Sequence, residues 1–209
     1  MRAYRALAAL LAYPTRDLIA ALPELSGVLQ GRAASLVDEL ASTPLLEMEE
    51  RYVALFDRSR ALSLHLFEHV HGESRDRGQA MVDLAAMYEA RGLTIADHEL
   101  PDYLPAFLEY LSLLDENEAR DLLHDTSEIL RAVGDRLAER GSLYAEVFAV
   151  LLKLAGERGL TKAIVKREAL EENQLALDAQ WMDPQVTFGG NAGGAEAQPI
   201  RLYRNGVPA

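Results

Sequence analysis

The chain has 209 residues, enough for one domain or two small ones, and 49% of them are hydrophobic, enough for a sizeable core. Its 21 Lys+Arg against 33 Asp+Glu leave a net charge of −12, which repels phosphate backbones and anionic membranes and favours a basic partner. The absence of cysteine removes disulfides, thiolate zinc sites, iron–sulfur ligation and cysteine nucleophiles from consideration. No apolar run reaches the roughly 20 residues of a membrane span.

Ala and Leu dominate, β-branched residues are scarce and period-2 alternation is nearly absent, so the pattern predicts helices almost throughout. Arg2 and Arg5 precede a short apolar run over 6–12, but Tyr13-Pro14-Thr15 follows it, not a small-residue cleavage site. The run therefore reads as the first helix of a cytoplasmic protein, with Ala3, Leu7, Leu10 and Leu11 inward and Pro14 ending it. A short helix over 17–22 is expected to stop at Pro23, and another spans 32–41. Thr43 and Pro44 then read as N-cap and first-turn proline of a helix running through Phe56, with Leu45, Met48, Tyr52, Leu55 and Phe56 inward.

One helix is expected over 62–70, and a longer one, capped by Ser74, carries Met81, Leu84, Ala85 and Tyr88 to its end at Gly92. Residues 93–104 form a linker. Beyond it, Leu104, Phe107, Leu108 and Leu111 mark an amphipathic helix. Asp115 with Glu118 resembles a capping box, opening a helix with Leu122, Ile129, Val133 and Leu137 that closes at Gly141. The segment 143–155 is apolar nearly all round, as a buried central helix would be. A charged helix over 161–179 follows. The last 28 residues, from Met182, hold five glycines and three prolines without an apolar period. The expectation is an all-α, single-domain helical bundle over 1–181, with a hinge loop near 93–104, Trp181 packed on the bundle, and an irregular tail over 182–209.

The charge is concentrated. Residues 97–146 hold 13 acidic and 4 basic residues, a net of −9, against −3 for the rest. The hinge mixes carboxylates with Tyr103 between Pro101 and Pro105, so a groove opening there would offer apolar walls and an acidic rim to a basic amphipathic helix.

Three of five histidines fall within 64–73, and His65-Leu66-Phe67-Glu68-His69 matches the H-x-x-E-H pattern of a metalloprotease family. On a helix, His65 and His69 would share one face as zinc requires, with Glu146 as a third ligand and Glu68 as base. The short all-helical chain and the first-turn position of Glu146 argue against that zinc hydrolase, and favour histidines hydrogen-bonded at a bundle surface. Arg75 and Arg77 occupy the first turn of a helix, the wrong end of its dipole. Such a violation points to carboxylate partners, among Glu68, Glu73 and Asp76, or to a recognition loop. A third reading has Arg75 and Arg77 hold the phosphate of a molybdenum cofactor, against the sign of the net charge.

Three blocks carry a resemblance: 52–57 (Tyr-Val-Ala-Leu-Phe-Asp), 66–81 with its His-Val-His-Gly-Glu-Ser-Arg-Asp-Arg-Gly core, and 99–110 (Glu-Leu-Pro-Asp-Tyr-Leu-Pro-Ala-Phe-Leu-Glu-Tyr). Together they resemble the respiratory nitrate reductase delta-subunit family, the NarJ-type chaperones, within the all-helical redox-enzyme maturation proteins that bind twin-arginine leader peptides. The resemblance implies no enzyme and no cofactor of its own. It implies an assembly chaperone that holds the apo catalytic (alpha) subunit of nitrate reductase, and its N-terminal peptide, until molybdenum cofactor insertion and membrane docking. No nucleic acid and no membrane insertion are implied, and a homodimer is left open. It implies leader-peptide binding at Asp102 and Tyr103, and the further client contacts expected within and beside the same blocks are Tyr52, Phe56, His69, His71, Glu73, Arg75, Asp76, Arg77 and Glu99. Tyr103 stands where the wider group has histidine, and it cannot titrate near neutrality. On this reading Asp102→Lys abolishes peptide binding with the fold intact, Tyr103→Ala weakens it less, and Asp102→Asn separates charge from capping.

Overall fold

The computed structural model describes residues 2–70, 75–96 and 99–165, the side chain of Arg75 excepted. Among the described residues there are ten α-helices and no strand. Helix α1 (Arg2–Leu11) buries Tyr4, Leu7, Leu10 and Leu11, a stripe at helical spacing. It lies against α2 (Arg16–Leu29) and α7 (Leu104–Leu111).

Thr15 caps α2 by accepting the Leu18 amide at 3.1 Å, and the expected stop at Pro23 does not occur. Proline removes one hydrogen bond there. Burial of Leu18, Leu22 and Leu29 on one face, on both sides of the proline, outweighs that loss. The helix ends instead at Gln30 and Gly31, both in left-handed conformation.

Helix α3 (Ala34–Ser42) starts without a side-chain cap of its own, and Glu146 supplies one from a distant helix, accepting the Leu36 amide at 3.2 Å. Thr43 is not the N-cap expected of it. Its amide and hydroxyl both donate to the Glu39 carbonyl, at 3.0 and 2.7 Å, so it closes α3. Helix α4 (Leu45–Tyr52) then widens into a π turn over Val53–Asp57, where Arg58 donates back five residues to Val53.

The single helix expected over 62–70 is broken. A 3₁₀ turn (Arg60–Leu62) precedes a short extended stretch, and α5 occupies only Leu66–Val70. The extended stretch pairs with the end of the linker: Leu104 donates to the Leu64 carbonyl at 2.8 Å and Leu66 to the Asp102 carbonyl at 2.9 Å, an isolated antiparallel bridge between His65 and Tyr103. Tertiary pairing overrides local helix propensity here.

Helix α6 (Arg75–Glu89) is held by Leu84 and Tyr88, the latter donating to the Pro101 carbonyl at 2.8 Å. The helix expected from Asp115 to Gly141 is two, α8 (Glu116–Asp125) and α9 (Ser127–Glu139), parted at Thr126, whose hydroxyl donates to the Leu123 carbonyl. Asp115 caps α8, taking the Asn117 and Glu118 amides at 3.0 Å each.

Helix α10 (Ala145–Leu154) is buried along most of its length, as its apolar run predicts. It packs closely on α9 at Gly134, where an added Cβ would lie 2.8 Å from Phe148 Cβ and 2.5 Å from Leu160 Cδ2. The helix expected from residue 161 does not begin there. Residues 161–165 are irregular, with the Thr161 and Lys162 amides on the Asp135 carboxylate and the Val165 amide on the Ala138 carbonyl. The remainder of that expected helix, Trp181 and the tail lie outside the described residues. No described helix is long and apolar enough to cross a membrane.

Candidate functional site

Asp102 organises the site from within. Its side chain is fully buried, and each oxygen has a partner: Oδ1 accepts His65 Nδ1–H at 3.1 Å and Oδ2 accepts the Phe67 amide at 3.1 Å. The Leu66 amide takes its carbonyl, so Asp102 caps the first turn of α5 twice over. Arg77 Nη2 stands 3.8 Å from Oδ2 and 3.4 Å from Glu68 Oε1. These carboxylates, one from α5 and one from the linker, account for an arginine at the wrong end of the α6 dipole. They also surround it with negative charge, a setting that repels a phosphate. Asp102 therefore offers no free carboxylate to a ligand, and its burial argues against the expectation that charge reversal leaves the fold intact.

Beside this clip opens a cleft of about 200 Å³, lined by Tyr13, Tyr52, Phe56, Asp57, Leu64, His65 and Tyr103. The π turn carries Phe56 and Asp57 into it, and the bridge carries His65 and Tyr103. Its rings contact one another in chains: Tyr13 on Tyr52 (5.5 Å, edge-on), Tyr52 on Phe56 (4.9 Å), Phe56 on Tyr144 (5.1 Å, edge-on) and His65 on Tyr103 (5.4 Å). Tyr52 donates its one proton to the Leu11 carbonyl at 2.8 Å. Tyr103, 3.1 Å away, must then donate to Tyr52, which leaves lone pairs of the Tyr103 oxygen unused. Burial raises the pKa of both phenols, which stay neutral at physiological pH.

A second, more polar cleft of about 420 Å³ shares Phe56, Asp57 and His65 with the first and adds Ser59, Arg60, Ser63, Glu68 and Arg77. The carboxylates at both clefts, Asp57 and Glu68, come from ahead of the acid-rich stretch 97–146. Acids of that stretch are spread over α7 to α10, and several are ion-paired: Glu118 with Arg91, Glu139 with Lys162, Glu128 with Arg131.

Of the residues singled out from the sequence, Tyr52, Phe56 and Tyr103 meet in the first cleft and Arg77 lines the second. His69 turns away, its Nε2 on the Ser63 carbonyl at 2.9 Å. Asp76 and Glu99 are exposed, with Glu99 near enough to act on the Tyr103 phenol. His71 and Glu73 lie outside the described residues, as does the side chain of Arg75.

The zinc arrangement does not form. His65 precedes α5 and engages Asp102, so it shares no helical face with His69, and Glu146 is occupied capping α3. No three metal-ligating side chains converge among the described residues. Reading the sequence missed Tyr13, Asp57, Leu64 and Arg60. Asp57 directly follows Phe56 in the 52–57 block, and that adjacency was the available signal.

Residues 16–150 match the family described as nitrate reductase delta subunit. The chain is 39% identical over 211 aligned positions, 98% of its length and 91% of the other's, to the probable nitrate reductase molybdenum cofactor assembly chaperone NarW of Escherichia coli K12. It is 48% identical over 158 positions, 74% of its length and 67% of the other's, to the assembly chaperone NarJ of the same strain. A putative redox enzyme maturation protein from Archaeoglobus fulgidus shares the fold, with a TM-score of 0.57 at 21% identity over 75% of this chain and 94% of that one.

Proposed function

The chain belongs to the nitrate reductase delta-subunit family, and from that premise we propose that it is an assembly chaperone that acts in the cytoplasm. It holds the apo catalytic subunit of nitrate reductase by the subunit's N-terminal peptide, seated in the two adjoining clefts, and keeps it open for molybdenum cofactor insertion before membrane docking. The role is binding, not catalysis. It requires a surface that masks an apolar, basic segment tightly enough to delay assembly and loosely enough to release it.

The observation that carries this reading is the aromatic cleft beside the Asp102 clip, opening on a protein of net charge −12. Rings of Tyr and Phe present large contact areas at small entropic cost, and carboxylates at the margin draw in cations. With a Debye length of about 8 Å at physiological salt, marginal charges act mainly on the association rate.

The test is calorimetry and surface binding with the purified chain and a synthetic N-terminal peptide of the catalytic subunit. Binding is expected, with affinity falling as salt rises and the association rate falling more than dissociation increases. Tyr103→Ala is expected to weaken binding on the order of tenfold. A peptide that does not bind, or binds equally to Tyr103→Ala at every salt concentration, overturns the reading.

A further inference from the structure

We infer that the cleft bounded by Tyr13, Tyr52, Phe56, Asp57 and Tyr103 is a recognition pocket for one arginine or lysine side chain of the client, with Asp57 as its counter-ion. The inference rests on the peptide-binding reading above and names what one part of that surface selects.

Size comes first. At about 200 Å³ the cleft is below the roughly 300–1,000 Å³ of pockets that take a whole cofactor or drug-sized molecule, and it suits one side chain. Chemistry comes second. Aromatic faces with a carboxylate alongside make the kind of surface that holds an ammonium or guanidinium, through the ring quadrupole and the ion pair together.

Hydrogen-bond polarity points the same way. Tyr103 spends its proton on Tyr52, so its oxygen faces a ligand as an acceptor. His65 directs Nδ1 to Asp102 and so stands as part of the wall, beside the Tyr103 ring. Asp57 accepts only. The Tyr103 oxygen and the Asp57 carboxylate among π faces match a side chain rich in N–H donors and mismatch a client carboxylate.

Asp57 is also uncompensated. It is exposed, and among the described residues it has neither an ion pair nor a side-chain hydrogen bond. Arg58, next to it in sequence, makes no ion pair with it among the described residues, and the arginines lining the second cleft are engaged elsewhere: Arg60 donates to the Glu68 carbonyl, and Arg77 lies between Glu68 and Asp102. Glu68 and Asp102, by contrast, face protein groups.

The experiment is a double-mutant cycle by calorimetry on the full chain. The probe is the synthetic N-terminal peptide of the catalytic subunit, with each arginine replaced in turn by citrulline and each lysine by acetyl-lysine. Asp57→Asn is expected to weaken the parent peptide about tenfold with an unchanged melting temperature. One peptide replacement is expected to cost the wild type a similar factor and the Asp57→Asn protein almost nothing. Tyr103→Phe, which keeps the ring and removes the acceptor, should lose affinity for that same peptide position and no other.

If the parent peptide binds wild type and Asp57→Asn alike, or every replacement costs both proteins equally, the pocket does not read a cation, and peptide binding itself still stands. If the wild type binds no peptide, both readings fail together.

Discussion

Asp102 and Asp57 both neighbour His65, and they are opposites. Asp102 has no exposed surface; His65, the Phe67 amide and Arg77 surround its carboxylate, and its carbonyl holds Leu66. Asp57 is exposed and has none of these. The first carboxylate fastens the linker to α5 and α6; the second stands open at the mouth of an aromatic cleft. The contrast teaches that a buried acid in one family block can act by building a binding surface, while an exposed acid at the end of another is the one left open to a ligand.

The largest effect expected from this contrast is on stability. Asp102→Lys puts an ammonium into a buried site beside Arg77 and strips two hydrogen-bonded groups, the His65 ring and the Phe67 amide, of their acceptor. Breaking a buried pair costs about 3–5 kcal/mol, and for a domain of this size that lowers the melting temperature by about 10 °C or more. Asp102→Asn keeps the shape and loses the charge, for about 1–3 kcal/mol. Asp57→Asn should stay within about 0.5 kcal/mol of wild type. Thermal unfolding of all three tests the ordering, and a stable Asp102→Lys protein breaks the comparison.

Gly134→Ala gives a scale away from both acids. Its Cβ would overlap Phe148 Cβ at 2.8 Å and Leu160 Cδ2 at 2.5 Å, and the first belongs to a buried helix and cannot swing aside. Overpacking there should cost about 1–3 kcal/mol, a loss of several degrees, with peptide affinity unchanged at temperatures where the variant is folded.

The smallest effect is a pH dependence at Asp135. Burial pushes its carboxyl up, but hydrogen bonds from the Thr161 hydroxyl and from the Lys162 and Thr161 amides, with the Arg131 charge, outweigh that and hold it below the usual carboxylate range. A depressed carboxyl stabilises the fold above its unfolded pKa of about 3.9, and that contribution is lost as pH falls through the folded value. Asp135→Asn should therefore melt below wild type at pH 7, with the difference closing as pH falls below the ordinary carboxylate value of about 3.9. A difference that is constant across that range would mean the charge is not what holds residues 161–162.

The sequence carried the helical architecture well where burial follows helical spacing. Leu7, Leu10 and Leu11 in α1, Leu104 to Leu111 in α7 and the apolar run of α10 are buried as their pattern predicts. It misled where spacing was overridden, by a distant partner or by a competing local hydrogen bond. Pro23 sits inside a helix that packing holds together, Thr43 closes the helix before it, and 62–70 is broken by a bridge to residues 102–104. The site divides the same way. Tyr52, Phe56 and Tyr103 are legible because they lie in distinctive blocks, and their meeting is not, since it depends on a π turn and an isolated bridge that no spacing announces. Asp102 is legible as important but not as buried, because burial of a linker acid is a property of the whole fold.

An α-helix advances about 100° per residue, so a turn that takes up one residue more than its share sets everything after it round by more than a quarter of a circle. The π turn at Val53–Asp57 is such a place. Removing a single residue from it would restore an unbroken helix and leave Tyr52 on its Leu11 carbonyl, while Phe56 and Asp57 swung off the cleft. Length, not only composition, is thus a variable of this pocket. One inserted or lost codon would exchange the set of side chains offered to a client at a stroke, where point substitutions alter them one at a time.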